Sequence, residues 1–381
     1  MPIFAPQSEA EARAEVFRVL GTVLDPELRQ PLPELGMLGR VTWRDPELEV
    51  ELKLTIASCP AADRIRNESE QAIQRELGIV PRIELVTMTS AERDKLKEKL
   101  LKGKPARFNR FADTDSLTQV VLISSGKGGV GKSTITANLA AIFAQQGLDV
   151  GVLDADVFGH SIPNQLGVVS GPTRVDELML PPISHSVKVI SIGMFTNNNE
   201  PVAWRGPLLH RAMEQFLSEV YWGALDILLV DLPPGTGDIA ISLGQLLPSA
   251  QLVVVTTPQQ AAATVAERSG AIAKKMGQRV IGVIENLSHF TQQDGTKLEL
   301  YGNGGGAAVA RALSDGLEKG QVPLLAQLPF SLPLRTGADT GIPAALSHPD
   351  DPAIIELHGV AQAMRSHAVE LAGKKLPLRL A

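Results

Sequence analysis

A chain of 381 residues, 44% hydrophobic and 20% charged, can bury a large core and has room for two or three domains. Its 42 acidic and 36 basic residues give a formal net charge of −6, which excludes a general electrostatic pull toward nucleic acid or an anionic membrane. The single cysteine, Cys59, excludes an internal disulfide. No apolar run reaches membrane-spanning length and no basic-then-apolar leader opens the chain, so a cytoplasmic protein is expected.

In chain order, residues 9–24 place Val16, Val19, Leu20 and Val23 on one helical face. Residues 48–56 alternate strictly between apolar and polar, the pattern of a half-buried strand. Cys59-Pro60 ends that strand, residues 63–76 return to a helix, and residues 81–86 give another strand. Residues 1–90 are therefore expected to form a small α+β domain. Residues 91–116 are expected to be a charged helix and linker. They carry Arg93, Lys95, Lys97, Lys99, Lys102 and Lys104, then close on Gly103, Pro105 and Asp113-Thr114-Asp115. The basic residues suit a solvated helix face, with an acidic partner surface as the alternative.

From residue 117 to 381 strand and helix signals alternate. The apolar run 119–124 precedes a glycine-rich loop and a helical stretch, 134–145. Further strands are expected at 150–153, 188–192, 226–230, 252–256, 280–284 and 324–327. Several are continuous apolar runs followed by Asp, Pro or Gly, as strands buried on both faces require. The fold class is thus α/β, a doubly wound and mostly parallel sheet. Ligands of such sheets lie at the carboxyl ends of the strands.

The loop between the first strand and its helix reads Gly126-Lys127-Gly128-Gly129-Val130-Gly131-Lys132-Ser133, followed by Thr134. Its glycines let backbone amides turn toward phosphate oxygens, and the following helix N-terminus adds positive potential. Lys132 is expected to reach the β- and γ-phosphates of ATP, and Ser133 to ligate Mg²⁺. Asp231 ends an apolar strand in Asp231-Leu232-Pro233-Pro234-Gly235-Thr236-Gly237-Asp238, the usual place for a carboxylate that holds Mg²⁺. Gly235 and Gly237 suit a loop that approaches the γ-phosphate and relaxes when it leaves.

The loop resembles the deviant phosphate loop of the ATPase group that includes cell-division positioning, chromosome-partition and nitrogenase iron proteins. That resemblance implies a homodimer in which Lys127 reaches the partner's nucleotide and acts like an arginine finger. It also implies that Asp154 helps organise Mg²⁺ and that Asp156 orients the attacking water, capping of the next turn being the alternative for either carboxylate. The blocks Asp231 to Asp238, Trp204-Arg205-Gly206-Pro207, Thr256-Thr257-Pro258-Gln259 and Gly304-Gly305-Gly306 look like the Mrp/ApbC family, over residues 118–341. The family implies an ATPase that carries iron–sulfur clusters to apoproteins, with Asn286 and Pro329 at the adenine. Asp25-Pro26-Glu27 with Ser58-Cys59-Pro60 resembles the MIP18-like domain, also linked to cluster assembly.

The chain departs from that pattern at two places. Where many relatives have a Cys-x-x-Cys pair, residues 285–295 contain none, so a stable cluster in the ATPase domain is not expected. Cys59 is left as a candidate for transient cluster or thiol chemistry, or as an ordinary buried cysteine, and His289 reads as a hydrogen-bonding residue. His160 stands where relatives usually have proline. In residues 353–371, Ile354, Leu357, Ala361, Met364 and Leu371 form a stripe that suits a packed closing helix better than a membrane anchor. The leading reading is a dimeric ATP- and Mg²⁺-dependent switch in cluster delivery, with no nucleic acid or membrane partner. A positioning-type scaffold ATPase and a nucleotide-binding adaptor that holds no cluster are the alternatives.

Overall fold

The computed structural model describes residues 4, 6–56, 59, 61–101, 108–113, 115–195, 206–235, 237–292, 294–315 and 321–367. The chain divides into two compact units. The first comprises Met1–Ala106, Pro172–Pro182 and Glu219–Gly223; the second comprises Arg107–Gly171, Ile183–Ser218 and Ala224–Ala381.

In the first unit, Ser8 caps helix α1 (Glu9–Leu20) by accepting from the Glu11 amide. The helix buries Ala12, Val16, Val19 and Leu20, spaced to share one face. Strands β1 (Leu38–Arg44) and β2 (Glu47–Leu54) pair antiparallel. Helix α2 (Ala62–Leu77) then leads to β3 (Arg82–Thr87), parallel to β2, and the sheet order is β1-β2-β3. Helix α3 (Ser90–Leu101) takes up the start of the expected linker with Arg93, Lys95, Lys97 and Lys99, while Lys102 and Lys104 lie outside the described residues. It buries Leu96 and Leu100 in this unit's core, and Arg93 and Lys99 donate to the Met88 and Glu34 carbonyls.

Two segments distant in sequence complete that core. A hairpin of Thr173–Val175 with Leu178–Leu180 contributes Val175, Leu178 and Leu180, and residues 219–223 contribute Tyr221. Met179 ties the two together, its amide donating to the Glu219 carbonyl at 2.9 Å and its carbonyl accepting from Tyr221 at 2.8 Å. Gln30 Nε2 donates to the Tyr221 hydroxyl at 3.1 Å, and Arg93 lies 3.8 Å from Asp176.

The second unit is built on β4 (Gln119–Ser125), followed by α4 (Lys132–Gln145) and β5 (Val150–Asp154). Strands β6 (Val187–Ser191), β7 (Ile227–Asp231) and β8 (Gln251–Thr256) come next, then α5 (Gln260–Lys275), β9 (Arg279–Glu285) and β10 (Leu324–Gln327). The sheet order is β10-β9-β8-β4-β7-β5-β6, with the short strand Ile183–Ser184 at the edge. All neighbours are parallel except that edge strand on β6. Strands expected from apolar runs form within one or two residues of those runs because both sheet faces are covered. The chain leaves β4 toward β5 on one side and reaches β8 on the other, so β4 lies at the switch of winding direction, where doubly wound sheets bind ligands.

The closing helix α6 (Pro352–Ser366) buries Ile354, Leu357, Val360, Ala361 and Met364 completely, in one cluster with α4. The stripe is thus packing surface; Leu371 lies outside the described residues, as do Trp204, Arg205, Thr236, Ser58 and Pro60.

Because Leu178 is 3% exposed in the core of the first unit, Leu178→Ala should destabilise that unit by about 2–5 kcal/mol. Hydrogen exchange should show lost protection in α1 and β1 to β3 and unchanged protection in β4, β7 and β8. Unchanged α1 protection would mean the hairpin is not part of that cooperative unit.

Candidate nucleotide site and a second cluster

The polar ends of the parallel strands line up by register. Asp231 of β7 is paired with Asp154 of β5, which is paired with Ser191 of β6. The apolar runs of β5, β6 and β7 therefore stop at the same level, and the first polar side chain after each emerges at the carboxyl edge of the sheet.

Asp231 has no solvent exposure, and three donors reach it from the first two turns of α4. Lys132 Nζ lies 2.6 Å from Oδ2, Ser133 Oγ donates to the same oxygen at 2.6 Å, and Thr136 Oγ1 donates to Oδ1 at 2.8 Å. Lys132 is 6% exposed, so this is a buried ion pair that tolerates burial because further donors satisfy the carboxylate. Thr136 was not singled out from the sequence, although it stands one helical turn beyond Lys132.

A cavity of about 680 Å³ opens over the loop, lined by residues 127–134 together with Ser125, Asp156, Phe158, Gln165 and Leu209. Pro233, Pro234 and Gly237 form another wall. Gly129 and Gly131 have φ of +79° and +85°, which only glycine adopts without strain. A Cβ on Gly131 would also lie 2.3 Å from Asn286 Nδ2. That cradle of exposed amides, with a hydroxyl and a carboxylate oxygen beside it, fits a phosphate chain and a hard cation such as Mg²⁺.

The other expected site residues take distinct places. Gly126 lies against α5 beside the cavity. Asp154 is fully buried; Oδ2 accepts from Ser191 Oγ at 3.0 Å and the Ile162 amide at 3.3 Å, and Oδ1 from the Asp156 amide at 3.1 Å. Burial first, and the charge of Asp231 second, push Asp154 up to about 7. Asp156 lines the cavity and also caps a turn, Oδ1 accepting from Phe158 and Gly159. The turn-capping contacts and the place on the cavity wall coexist in one geometry. His160 packs against Gly193.

Asn286 follows β9 and its Nδ2 donates to the Val130 carbonyl at 2.9 Å, fixing the phosphate loop and leaving Oδ1 without a hydrogen-bond partner. Pro329 lines a second cavity of about 610 Å³ with Glu285, Ser288 and His289. His289 Nδ1 lies 2.9 Å from Ser288 Oγ, the hydrogen-bonding role expected of it. Glu285, 1% exposed, accepts from Gln327 Nε2 at 2.7 Å and from the Gly306 amide at 2.6 Å, which places the triple glycine at a helix start where an anion is favourable.

Residues 116–365 match the family described as NUBPL iron-transfer P-loop NTPase. The chain belongs to that family. Residues 13–84 match a second family, described as iron–sulfur cluster assembly protein. The iron–sulfur cluster carrier protein of Mycobacterium tuberculosis is 49% identical over 376 residues, 97% of either chain. That of Synechocystis is 36% identical over 367 residues, 94% of this chain and 96% of the other. A nucleotide-binding protein from Archaeoglobus fulgidus, solved in complex with ADP, is 32% identical with a TM-score of 0.52, covering 63% of this chain and 93% of that one.

The assembly-protein match of this P-loop NTPase falls on the first unit, which holds a cluster of its own. Asp25 Oδ1 accepts from the Glu27 and Leu28 amides at 2.9 and 2.8 Å, forming the expected turn. Thr173 Oγ1, from the distant hairpin, donates to Glu27 Oε1 at 2.8 Å. Cys59 is half-buried, and desolvation, reinforced by the charges of Glu27 and Asp25, pushes its thiol up to about 11. A thiol so placed is a poor nucleophile at neutral pH. Among the described residues no three His, Cys, Asp or Glu side chains are grouped to hold a metal ion.

Burial pushes Glu27 from 4.5 up to about 7, against the Thr173 hydrogen bond. The fold therefore prefers the protonated carboxyl: its contribution is fully present below pH 4.5, is lost as pH rises to 7, and stays lost above. Glu27→Gln keeps an oxygen for Thr173 and removes the charge. Its unfolding free energy should equal that of the wild type near pH 4.5 and exceed it at pH 8 by on the order of 2 kcal/mol. An equal difference at both pH values would exclude titration of Glu27 as the cause.

Proposed function

We propose that the protein is a dimeric, Mg²⁺-dependent ATPase of the cytoplasm that switches conformation on hydrolysis and delivers iron–sulfur clusters to apoproteins. The observation that carries the ATPase half is the convergence of Lys132, Ser133 and Thr136 on the buried Asp231 beneath a phosphate-sized cradle. The delivery half is supported by the fused assembly-protein region and by relatives named as cluster carriers.

Ser133 and Asp231 would hold Mg²⁺, which when bound neutralises charge on the β- and γ-phosphate oxygens. Lys132 exchanges its carboxylate partner for phosphate, and the glycine amides bind the remaining oxygens. Asp156, its Oδ1 anchored by two amides, presents Oδ2 to the attacking water. Asp154 holds the loop that carries Asp156 and thereby orients it. Lys127 supplies the second cation, across the dimer.

The cluster is cargo. A dimer brings two cysteines where clusters usually take four thiolates, so the remaining ligands come from the donor or recipient protein. The raised Cys59 thiol favours the adaptor reading instead, in which the protein drives delivery without holding the cluster.

Lys127→Ala should retain ATP binding and lose about 10³-fold in turnover under saturating ATP and Mg²⁺. Turnover within threefold of wild type would remove the lysine from the chemistry. Anaerobic reconstitution with iron, sulfide and a small thiol that completes the ligand set, read by iron content and visible absorption, should give a cluster in wild type that is lost in Cys59→Ala. No cluster in either protein would decide for the adaptor.

A further inference from the structure

We propose that Gln259 is a positioning residue that holds Lys127 within its own subunit and sets how readily this lysine is released to a partner's nucleotide. The inference rests on the dimeric reading above and adds the group that controls it.

Lys127 Nζ donates to Gln259 Oε1 at 2.6 Å, and both side chains are half-buried. The two residues are 132 positions apart, so only the fold brings them together. Each end of the contact is fixed. Ser125 Oγ donates to the Lys127 carbonyl at 3.1 Å, and the Ser125 carbonyl accepts from the Gly235 amide at 2.8 Å. Gln259 immediately precedes α5, and that helix presses on the phosphate loop. A Cβ on Gly126 would lie 2.4 Å from the Ala266 nitrogen and 2.7 Å from the Val265 carbonyl carbon. The lysine is thus presented to Gln259 by a loop and a helix that cannot separate without disturbing the glycine cradle.

The chemistry of the pair decides its role. A primary amide satisfies one ammonium hydrogen bond but contributes no opposite charge, whereas a phosphate oxygen contributes both. Lys127 therefore stays with Gln259 until an anion of high charge comes within reach, and then exchanges. The fraction of lysine free to reach across is governed by the strength of this one contact, and the apparent dimer affinity scales with that fraction.

Two substitutions should then act in opposite directions. Gln259→Ala removes the acceptor and frees the lysine; Gln259→Glu replaces a neutral acceptor with a carboxylate of nearly the same shape and holds it more tightly. The experiment measures ATP turnover per chain as a function of protein concentration, at saturating ATP and Mg²⁺, with sedimentation of the same samples. Relative to wild type, the concentration giving half-maximal turnover should fall roughly threefold to tenfold in Gln259→Ala and rise by a similar factor in Gln259→Glu. In a Lys127→Ala background sedimentation should show no difference between the two Gln259 variants.

A purely structural role for Gln259 would move both variants the same way, and that result overturns the proposal. So does a difference between the variants that persists without Lys127. If wild-type turnover per chain is independent of concentration and no dimer sediments, the dimeric reading itself fails, and this outcome is recognisable before any variant is compared.

Discussion

A carboxylate with no access to water organises the nucleotide site. Asp231 sits at the end of a strand buried on both sides, where an unpaired charge would cost several kcal/mol. The first turn of α4 supplies Lys132 and Ser133, and its next turn supplies Thr136. This fixes the loop against the neighbouring strand and determines where α4 begins. The glycine cradle and the cavity above it follow from that attachment, while strand register places Asp154 beside Asp231. The same concentration of buried charge explains why Asp154, one strand over, is pushed toward neutrality: burial raises it and its neighbour adds to the effect.

The first unit depends on a different constraint. Its three-stranded sheet and three helices leave apolar surface that the segments Pro172–Pro182 and Glu219–Gly223 fill with Val175, Leu178, Leu180 and Tyr221. The same hairpin brings Thr173 to Glu27. A residue that belongs by sequence to the nucleotide-binding region thereby helps set the protonation of a carboxyl beside Cys59. The assembly-protein match at residues 13–84 covers β1, β2 and the start of β3, and none of these inserted residues.

Much of the architecture was legible in the sequence because strands buried on both faces become continuous apolar runs, as in β4, β7 and β8. Strand β1 was not legible: its apolar residues Leu38, Val41 and Trp43 break the period of two, and its pairing with β2 shifts register between Leu38 and Val41. The hairpin at 173–180 has three-residue strands, too short to show periodicity. For the site, local motifs named Lys132, Ser133, Asp154, Asp156 and Asp231. What they could not convey was register, which sets Asp231, Asp154 and Ser191 in one row. Asn286 was expected at the adenine, and its grip on the Val130 carbonyl depends on how β9 lies relative to the loop. Gln259 stood inside a block quoted for its resemblance, yet nothing in its neighbours pointed to a lysine more than a hundred residues earlier.

The two lysines of the phosphate loop are five residues apart and are held by different chemistry. Lys132 is buried and paired with a carboxylate that also binds two hydroxyls, so its position is part of the fold. Lys127 is half-buried and rests on a neutral amide, which orients it without neutralising it. Only a group held in the second way can leave at small cost when a more highly charged acceptor arrives. A carboxylate at position 259 would tie both lysines into the subunit that made them. An apolar residue there would leave Lys127 without an orienting partner before any second subunit arrived. The amide lies between these limits, which is what a cation serving two subunits in turn requires.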